Sequence, residues 1–178
     1  MWRLPAPRLL ALLALSIAGT PAHADDPCSA FAWDVGHERA LFATEARALS
    51  AGRDVTSAPP LVPDRLYQLQ LSAQPDVTFA AAPGKSTVTT GAHAGLASLT
   101  VGTAGVYRVS LDQPSWLDVA ANGVLIHSRD FQRRPGCTAP HKTVEFVLPP
   151  GTPLTLQVSG AAGPILKGTV TRPVVQTR

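Results

Sequence analysis

The chain has 178 residues, of which 45% are hydrophobic, and this hydrophobic content excludes a wholly disordered protein. Its formal net charge is +3, from 15 Lys and Arg against 12 Asp and Glu, and Arg3 and Arg8 supply two of the positive charges. Both lie in a segment that we expect to be removed, which leaves a nearly neutral chain and argues against nucleic acid as a partner.

Residues 1–24 have the pattern of a secretory signal peptide. Arg3 and Arg8 give a positively charged start before an apolar run over residues 9–18, and Ala22-His23-Ala24 forms a small-x-small cleavage site. This run is too short to cross a bilayer, which takes about 20 apolar residues, so we expect no transmembrane segment. We predict cleavage after Ala24 and a single domain over residues 25–178, located in the periplasm or secreted.

Two cysteines, Cys28 and Cys137, follow the predicted cleavage site. An even number of cysteines in an exported protein predicts a disulfide, with two buried free thiols as the alternative. Such a bond would tie the N-terminal segment to a loop late in the domain.

Residues 34–51 have the pattern of an amphipathic helix. Phe42, Ala46 and Leu49 are spaced for one apolar stripe, Asp34 suits the N-cap, and Gly52 suits the position after the last turn.

From residue 65 onward the apolar residues alternate with polar ones, as in β-strands with one buried face. Residues 67–71, 77–81, 97–101, 107–111 and 117–121 show this alternation, as do three segments after residue 143. Asn122-Gly123 stands between two apolar runs and predicts a tight hairpin. About eight short strands of this kind predict a mainly β fold, an antiparallel jelly-roll-like β-sandwich with one N-terminal helix.

Four histidines follow the predicted cleavage site: His37, His93, His127 and His141. A non-haem iron site needs two His and a carboxylate, but the chain has no H-x-H pair, and Leu41 interrupts the H-E-x-x-H pattern that starts at His37. We therefore predict no cofactor. The alternative is an iron site, with His37, His127 and His141 as the candidate ligands.

The segment 127–142 is rich in cationic side chains and contains a single acidic residue, Asp130. The cationic residues are Arg129, Arg133, Arg134, His141 and Lys142. Such a group of charges could bind an anionic sugar, a lipid headgroup or a partner protein. The alternative is a solvated loop whose arginines pair with acidic residues elsewhere.

Trp33, Tyr107 and Trp116 could stack on a sugar, or could instead pack in the core. Trp116 is out of phase with the apolar positions of the segment that follows it, which places it on the opposite face of the predicted strand.

Several segments resemble a family of small exported bacterial proteins of unestablished function: C-x4-W-x3-HERALF from Cys28, PDRLYQLQL, GVYRVSLDQPSWLDVAANG, C-x3-HKTVEF and LTLQVSGA. Some members of that family carry a homogentisate 1,2-dioxygenase label, which implies an iron-dependent, ring-cleaving enzyme. The strands G-x-Y-x-V-x-L and P-G-x-x-L-x-L-x-V-x-G are also similar to pre-peptidase C-terminal-type sandwiches, which implies a binding or structural module.

The chain also lacks the G-x-S-x-G pattern of serine hydrolases. We therefore predict an exported, non-catalytic β-sandwich that binds a small molecule, a glycan or a protein partner. The alternative is a small non-haem-iron dioxygenase on a jelly-roll fold. For the binding site the candidate residues are the five cationic side chains of segment 127–142 and Trp116.

Overall fold

The computed structural model describes residues 26–86 and 89–173, so the predicted signal peptide lies outside the described residues. Two short 3-10 helices cover Pro27–Ala30 and Gln74–Asp76. The remaining elements in chain order are α1 (Gly36–Phe42), β1 (Arg47–Ser50), β2 (Pro60–Leu61), β3 (Leu66–Gln70), β4 (Ser72–Ala73), β5 (His93–Leu99), β6 (Gly105–Leu111), β7 (Trp116–Ala121), β8 (Val124–Ile126), β9 (Ser128–Arg133), β10 (Lys142–Leu148), β11 (Leu154–Ala161) and β12 (Ile165–Thr171). Across residues 26–86 and 89–173, no helix is long and apolar enough to cross a membrane.

The strands form two sheets. The first has the order β1-β3-β12-β6-β10-β9, and the second has the order β2-β5-β11-β7-β8, with β4 also paired to β5. This confirms the predicted mainly β sandwich with one helix. The sheets are mixed, because β1 pairs with β3 and β2 pairs with β5 in parallel, and the strand order does not confirm a jelly roll.

The core lies between the two sheets and follows the predicted alternation. Tyr107 and Val109 of β6 face Leu117 and Val119 of β7 within one apolar cluster, and all four are buried. Side chains at alternate positions point to the outer faces, because successive residues of a strand point to opposite sides. The predicted hairpin at Asn122-Gly123 is confirmed: both residues have positive φ and join β7 to β8.

The predicted helix over residues 34–51 is wrong in its extent. The α-helix ends at Phe42, and residues 47–50 form β1 along the edge of β3. Asp34 is not the N-cap, since Val35 holds that position, although Asp34 Oδ1 accepts a hydrogen bond from the Gly36 amide at 2.9 Å. Pairing with an open sheet edge satisfies the backbone of residues 47–50 and outweighs their helical spacing.

Two further sequence predictions are corrected by the structure. Residues 77–81 are not a strand but an irregular segment, and Val77 packs on Ala94 and Leu96 on the outer side of the second sheet. Gly52 does not end a helix, because it bridges Leu96 through backbone hydrogen bonds of 2.8 and 2.9 Å. In both cases the partner is distant in sequence, so local spacing could not predict the pairing.

The N-terminal segment covers the outer face of the first sheet. The disulfide between Cys28 and Cys137 confirms the predicted bond and holds this segment at one end. Beneath the segment, Arg108 Nε donates to Glu145 Oε1 at 3.1 Å, and the Arg108 guanidinium lies 4.9 Å from the centroid of Trp33. Trp33 is therefore part of this packing and not a free binding surface.

Candidate functional site

A cleft opens at the edge of the sandwich because β8 is shorter than its neighbour. Strand β7 starts at Trp116, but β8 pairs only with residues 119–121, so the first half of β7 has no strand beside it on that side. The opening faces the edge of the first sheet, where β9 pairs with the start of β10. We call this opening the Trp116 cleft.

The Trp116 cleft has two parts that share Trp116, Phe131 and Lys142. The outer part, which we call the mouth, has a volume of about 580 Å³. Its lining includes Lys85, Ser115, Arg133 and His141. The inner part, which we call the chamber, has a volume of about 260 Å³. Its apolar lining comes from Leu117, Leu125, Ile126, Val144 and Phe146.

The indole of Trp116 is held in place by Asp118, two residues along the same strand. Trp116 Nε1 donates to Asp118 Oδ1 at 2.9 Å. Asp118 Oδ2 accepts from the Gly84 amide at 3.1 Å and from Gln157 Nε2 at 3.4 Å. The buried carboxylate therefore connects three segments, and its lone pairs are used by three donors.

Two lysines lie close to the Trp116 ring. Lys142 Nζ is 5.3 Å from the ring centroid and Lys85 Nζ is 5.8 Å from it, within the range of a cation–π contact. Lys142 Nζ also donates to the backbone oxygen of Ser115 at 3.1 Å. Among the described residues, none of the ion pairs includes Lys85, Arg133 or Lys142.

The site carries an excess of positive charge. Burial lowers the pKa of Lys142 below its ordinary value, the charges of Arg133 and Lys85 lower it further, and Asp118 opposes the change. Three cationic side chains thus surround the cleft, with one carboxylate among its lining residues. A half-buried ammonium group next to two like charges is a costly arrangement in the absence of an anion.

The structure brings together part of the predicted site. Trp116, Arg133, His141 and Lys142 line the Trp116 cleft, and Trp116 lies on the opposite face from the core residue Leu117, as predicted. Segment 127–142 is not one loop, since its first half forms β9.

Two of the predicted cationic residues point elsewhere. Arg134 Nε donates to the backbone oxygen of Ala30, and the Arg134 guanidinium lies 5.3 Å from the ring centroid of Phe31. Arg134 therefore holds the N-terminal segment against the residues that follow β9. Arg129 is exposed on β9 and is not part of the cleft lining.

Sequence reasoning missed three residues of the site. Lys85 lies in the turn Gly84-Lys85-Ser86, Phe131 is 57% exposed on the edge strand β9, and Asp118 stands one position from two core residues of β7. Phe131 has a sequence signal, because it is the one apolar residue in the polar strand β9. Asp118 fits the alternation of β7 and gives no such signal. Lys85 has none, since its approach to Trp116 depends on the fold.

The candidate metal ligands do not come together. His37 Nε2 lies 2.8 Å from Asp64 Oδ1, whereas His127 and His141 line different parts of the Trp116 cleft. Within residues 26–86 and 89–173, no group of three or more His, Cys, Asp or Glu side chains could hold a metal. These residues do not fit a 2-His-1-carboxylate iron site. The absence of a stoichiometric metal stays a prediction, which metal analysis of the purified protein checks.

Comparison with protein-family models gives no match to this chain, and comparison with curated proteins gives none either. The function of the Trp116 cleft is therefore inferred from its own geometry and charge.

Proposed function

We propose that this is an exported, non-catalytic binding protein, periplasmic or secreted, whose Trp116 cleft binds an anionic ligand. The observation that carries the proposal is the half-buried Lys142 ammonium, which lies near Arg133 and Lys85 and forms no ion pair with a described carboxylate. A bound anion would remove the cost of placing these charges together.

The shape of the site favours a small ligand or a single sugar residue over a flat protein surface. The Trp116 cleft is concave, and it combines an apolar wall with a few charged groups, which is the usual composition of a small-molecule site. Trp116 and Phe131 add two aromatic side chains at the entrance.

The disulfide supports export. Disulfides persist mainly in oxidising compartments, and the bond between Cys28 and Cys137 leaves no free cysteine in the described chain. This agrees with the predicted signal peptide over residues 1–24, which lies outside the described residues.

Quenching of tryptophan fluorescence tests the proposed function. Trp33 and Trp116 are the two tryptophans after residue 24, so subtracting the emission of Trp116→Phe isolates the Trp116 signal. We expect the anionic quencher iodide to act more strongly on Trp116 than the cationic quencher caesium. We expect this preference to shrink in 0.5 M sodium chloride, about three times physiological salt, where the Debye length is short.

A matched pair of variants on β9 locates the effect. Arg133→Ala should reduce the preference for iodide, whereas Arg129→Ala removes an equal charge from the same strand outside the cleft and should not. Inorganic phosphate, glucuronate and octanoate are then titrated as ligands, and at least one should protect Trp116 from iodide. Equal quenching by iodide and caesium, with no change on adding any of the three anions, would overturn the proposed function.

A further inference from the structure

The chamber of the Trp116 cleft penetrates the apolar core. Leu117, Val144 and Phe146 belong to the core cluster between the sheets, and they also line the chamber. Leu125 and Ile126 of β8 complete its apolar wall. The chamber is therefore a mainly apolar space that opens next to the cationic residues of the mouth.

We propose that the ligand is a small amphipathic carboxylate, whose anionic group binds at the mouth and whose apolar part enters the chamber. This inference rests on the proposed function and adds the ligand class. Lys142 lines both parts of the cleft. A carboxylate bound beside its ammonium group at the mouth would therefore have its apolar substituent directed into the chamber, toward Val144 and Phe146. Purely polar anions would leave these apolar surfaces in contact with water.

Asp118 determines which end of the ligand enters first. Its carboxylate lies in the chamber wall, and its oxygens already accept hydrogen bonds from Trp116, Gly84 and Gln157. A ligand carboxylate deep in the chamber would be repelled by Asp118, and Lys142 is the one lysine or arginine among the described residues that line the chamber. At the mouth it would meet Lys142 and Arg133. Charge therefore orients the ligand with its apolar end inside.

The size of the chamber limits the apolar part of the ligand. Its volume of about 260 Å³ lies below the range of about 300–1,000 Å³ that is usual for pockets that hold drug-sized molecules. The apolar part is therefore a short acyl chain or a single aromatic ring. Each methylene group that enters the chamber should strengthen binding about fourfold, as expected for burial of a CH₂ group.

Calorimetric titration of the processed protein tests the ligand class. The probes are acetate, butanoate, hexanoate, octanoate and decanoate as one series, 3-phenylpropionate as the ring, and 1-octanol as an uncharged match for octanoate. We expect affinity to rise along the series until the chamber is full, and we expect octanol to bind at least tenfold more weakly than octanoate. If phenylpropionate binds more tightly than every alkyl carboxylate, the apolar part of the ligand is an aromatic ring. If an alkyl carboxylate binds more tightly, the apolar part is an acyl chain. Both results support the proposal.

Two substitutions on β8 show whether the chamber holds the apolar part. Leu125→Trp should fill the chamber and weaken octanoate binding at least tenfold. Val124→Trp is the control, because Val124 is 68% exposed on the same strand and does not line the chamber. Octanoate binding that is equal in both variants and in the wild type would overturn the proposal.

The two proposals fail in different ways. Binding of phosphate or glucuronate, without any dependence on chain length among the alkyl carboxylates, would overturn the amphipathic ligand and leave the anion-binding function standing. A site that prefers iodide to caesium but binds no alkyl carboxylate and no phenylpropionate would likewise overturn the amphipathic ligand alone. A wild-type protein that shows no preference for iodide over caesium and binds none of the anions would overturn both proposals.

Discussion

The indole N–H of Trp116 and the carboxylate of Asp118 form a 2.9 Å hydrogen bond along one face of β7. The two side chains share this face because they are two residues apart in a strand. The second carboxylate oxygen accepts from Gly84 and from Gln157, so the position of the ring depends on a loop and on β11 as well as on its own strand.

Replacing Asp118 should loosen Trp116 and destabilise the protein. In Asp118→Ala the amide groups of Gly84 and Gln157 lose a buried acceptor, which costs about 1–3 kcal/mol of unfolding free energy. Urea denaturation measures this loss, and the fluorescence anisotropy of Trp116 should fall as the ring gains freedom. An anisotropy equal to that of the wild type would show that packing alone orients the indole.

Arg133 and Arg134 are neighbours with different roles, so their alanine variants should differ. Arg133→Ala should weaken anion binding and change the melting temperature little, because exposed charges contribute little to folding. Arg134→Ala should lower the melting temperature and keep binding, since Arg134 contacts Ala30 and Phe31. Thermal unfolding and iodide quenching of both variants check this, and exchanged effects would contradict the assignment.

Lys142 should strengthen anion binding but lower the free energy of unfolding. Its pKa is lowered by burial and by Arg133 and Lys85, so below that pKa the charged form destabilises the folded chain. We expect Lys142→Met to unfold with a free energy about 0.5–1 kcal/mol larger at pH 7, while it loses the iodide preference.

The difference in unfolding free energy between Lys142→Met and the wild type should change with pH in one direction. Between the lowered pKa of folded Lys142 and its ordinary value of 10.5, the unfolded chain binds more protons, so the wild type gains stability as the pH rises. The advantage of Lys142→Met should therefore narrow from pH 7 toward pH 10.5. Lys142→Arg, which stays charged over this range, should show no such narrowing relative to Lys142→Met. An advantage that widens with pH would show that burial of the Lys142 charge is not its cause.

The disulfide should stabilise the protein by restricting its unfolded state. Cys28 and Cys137 are 109 positions apart, and closing a loop of that length is worth up to about 4.7 kcal/mol in the chain-entropy model. Cys28→Ser and Cys137→Ser should each lower the melting temperature, and the double variant should lower it no further. Thiol titration of the denatured, unreduced protein should find no free thiol. Two thiols per chain would disprove the bond.

Glu38 should be needed to hold α1 against the first sheet. Its side chain is 2% exposed, its Oε1 accepts from Thr171 Oγ1 at 2.7 Å, and Arg108 Nη1 lies 3.7 Å away. Glu38→Ala should lower the unfolding free energy by about 3 kcal/mol because it breaks a buried charged group of interactions. Glu38→Gln keeps the oxygen acceptor for Thr171, so urea denaturation should show a smaller loss. Equal losses would show that charge alone matters.

The features that the sequence determined by itself are local or compositional. Alternation at residues 107–111 and 117–121 predicted the strands β6 and β7, because a strand with one buried face must place apolar residues at every second position. Asn122-Gly123 predicted its hairpin because both residues tolerate positive φ. The even cysteine count predicted the disulfide.

Only the tertiary structure decided the extent of α1 and the composition of the site. Residues 47–50 become β1 because β3 offers an open edge, which no local spacing reveals. Lys85 and Lys142 lie 57 positions apart in the chain, yet both approach Trp116 because the strand order places β10 opposite the open half of β7. Residues that are distant in sequence meet only after the sheets have paired, so the charge and shape of the Trp116 cleft are properties of the fold.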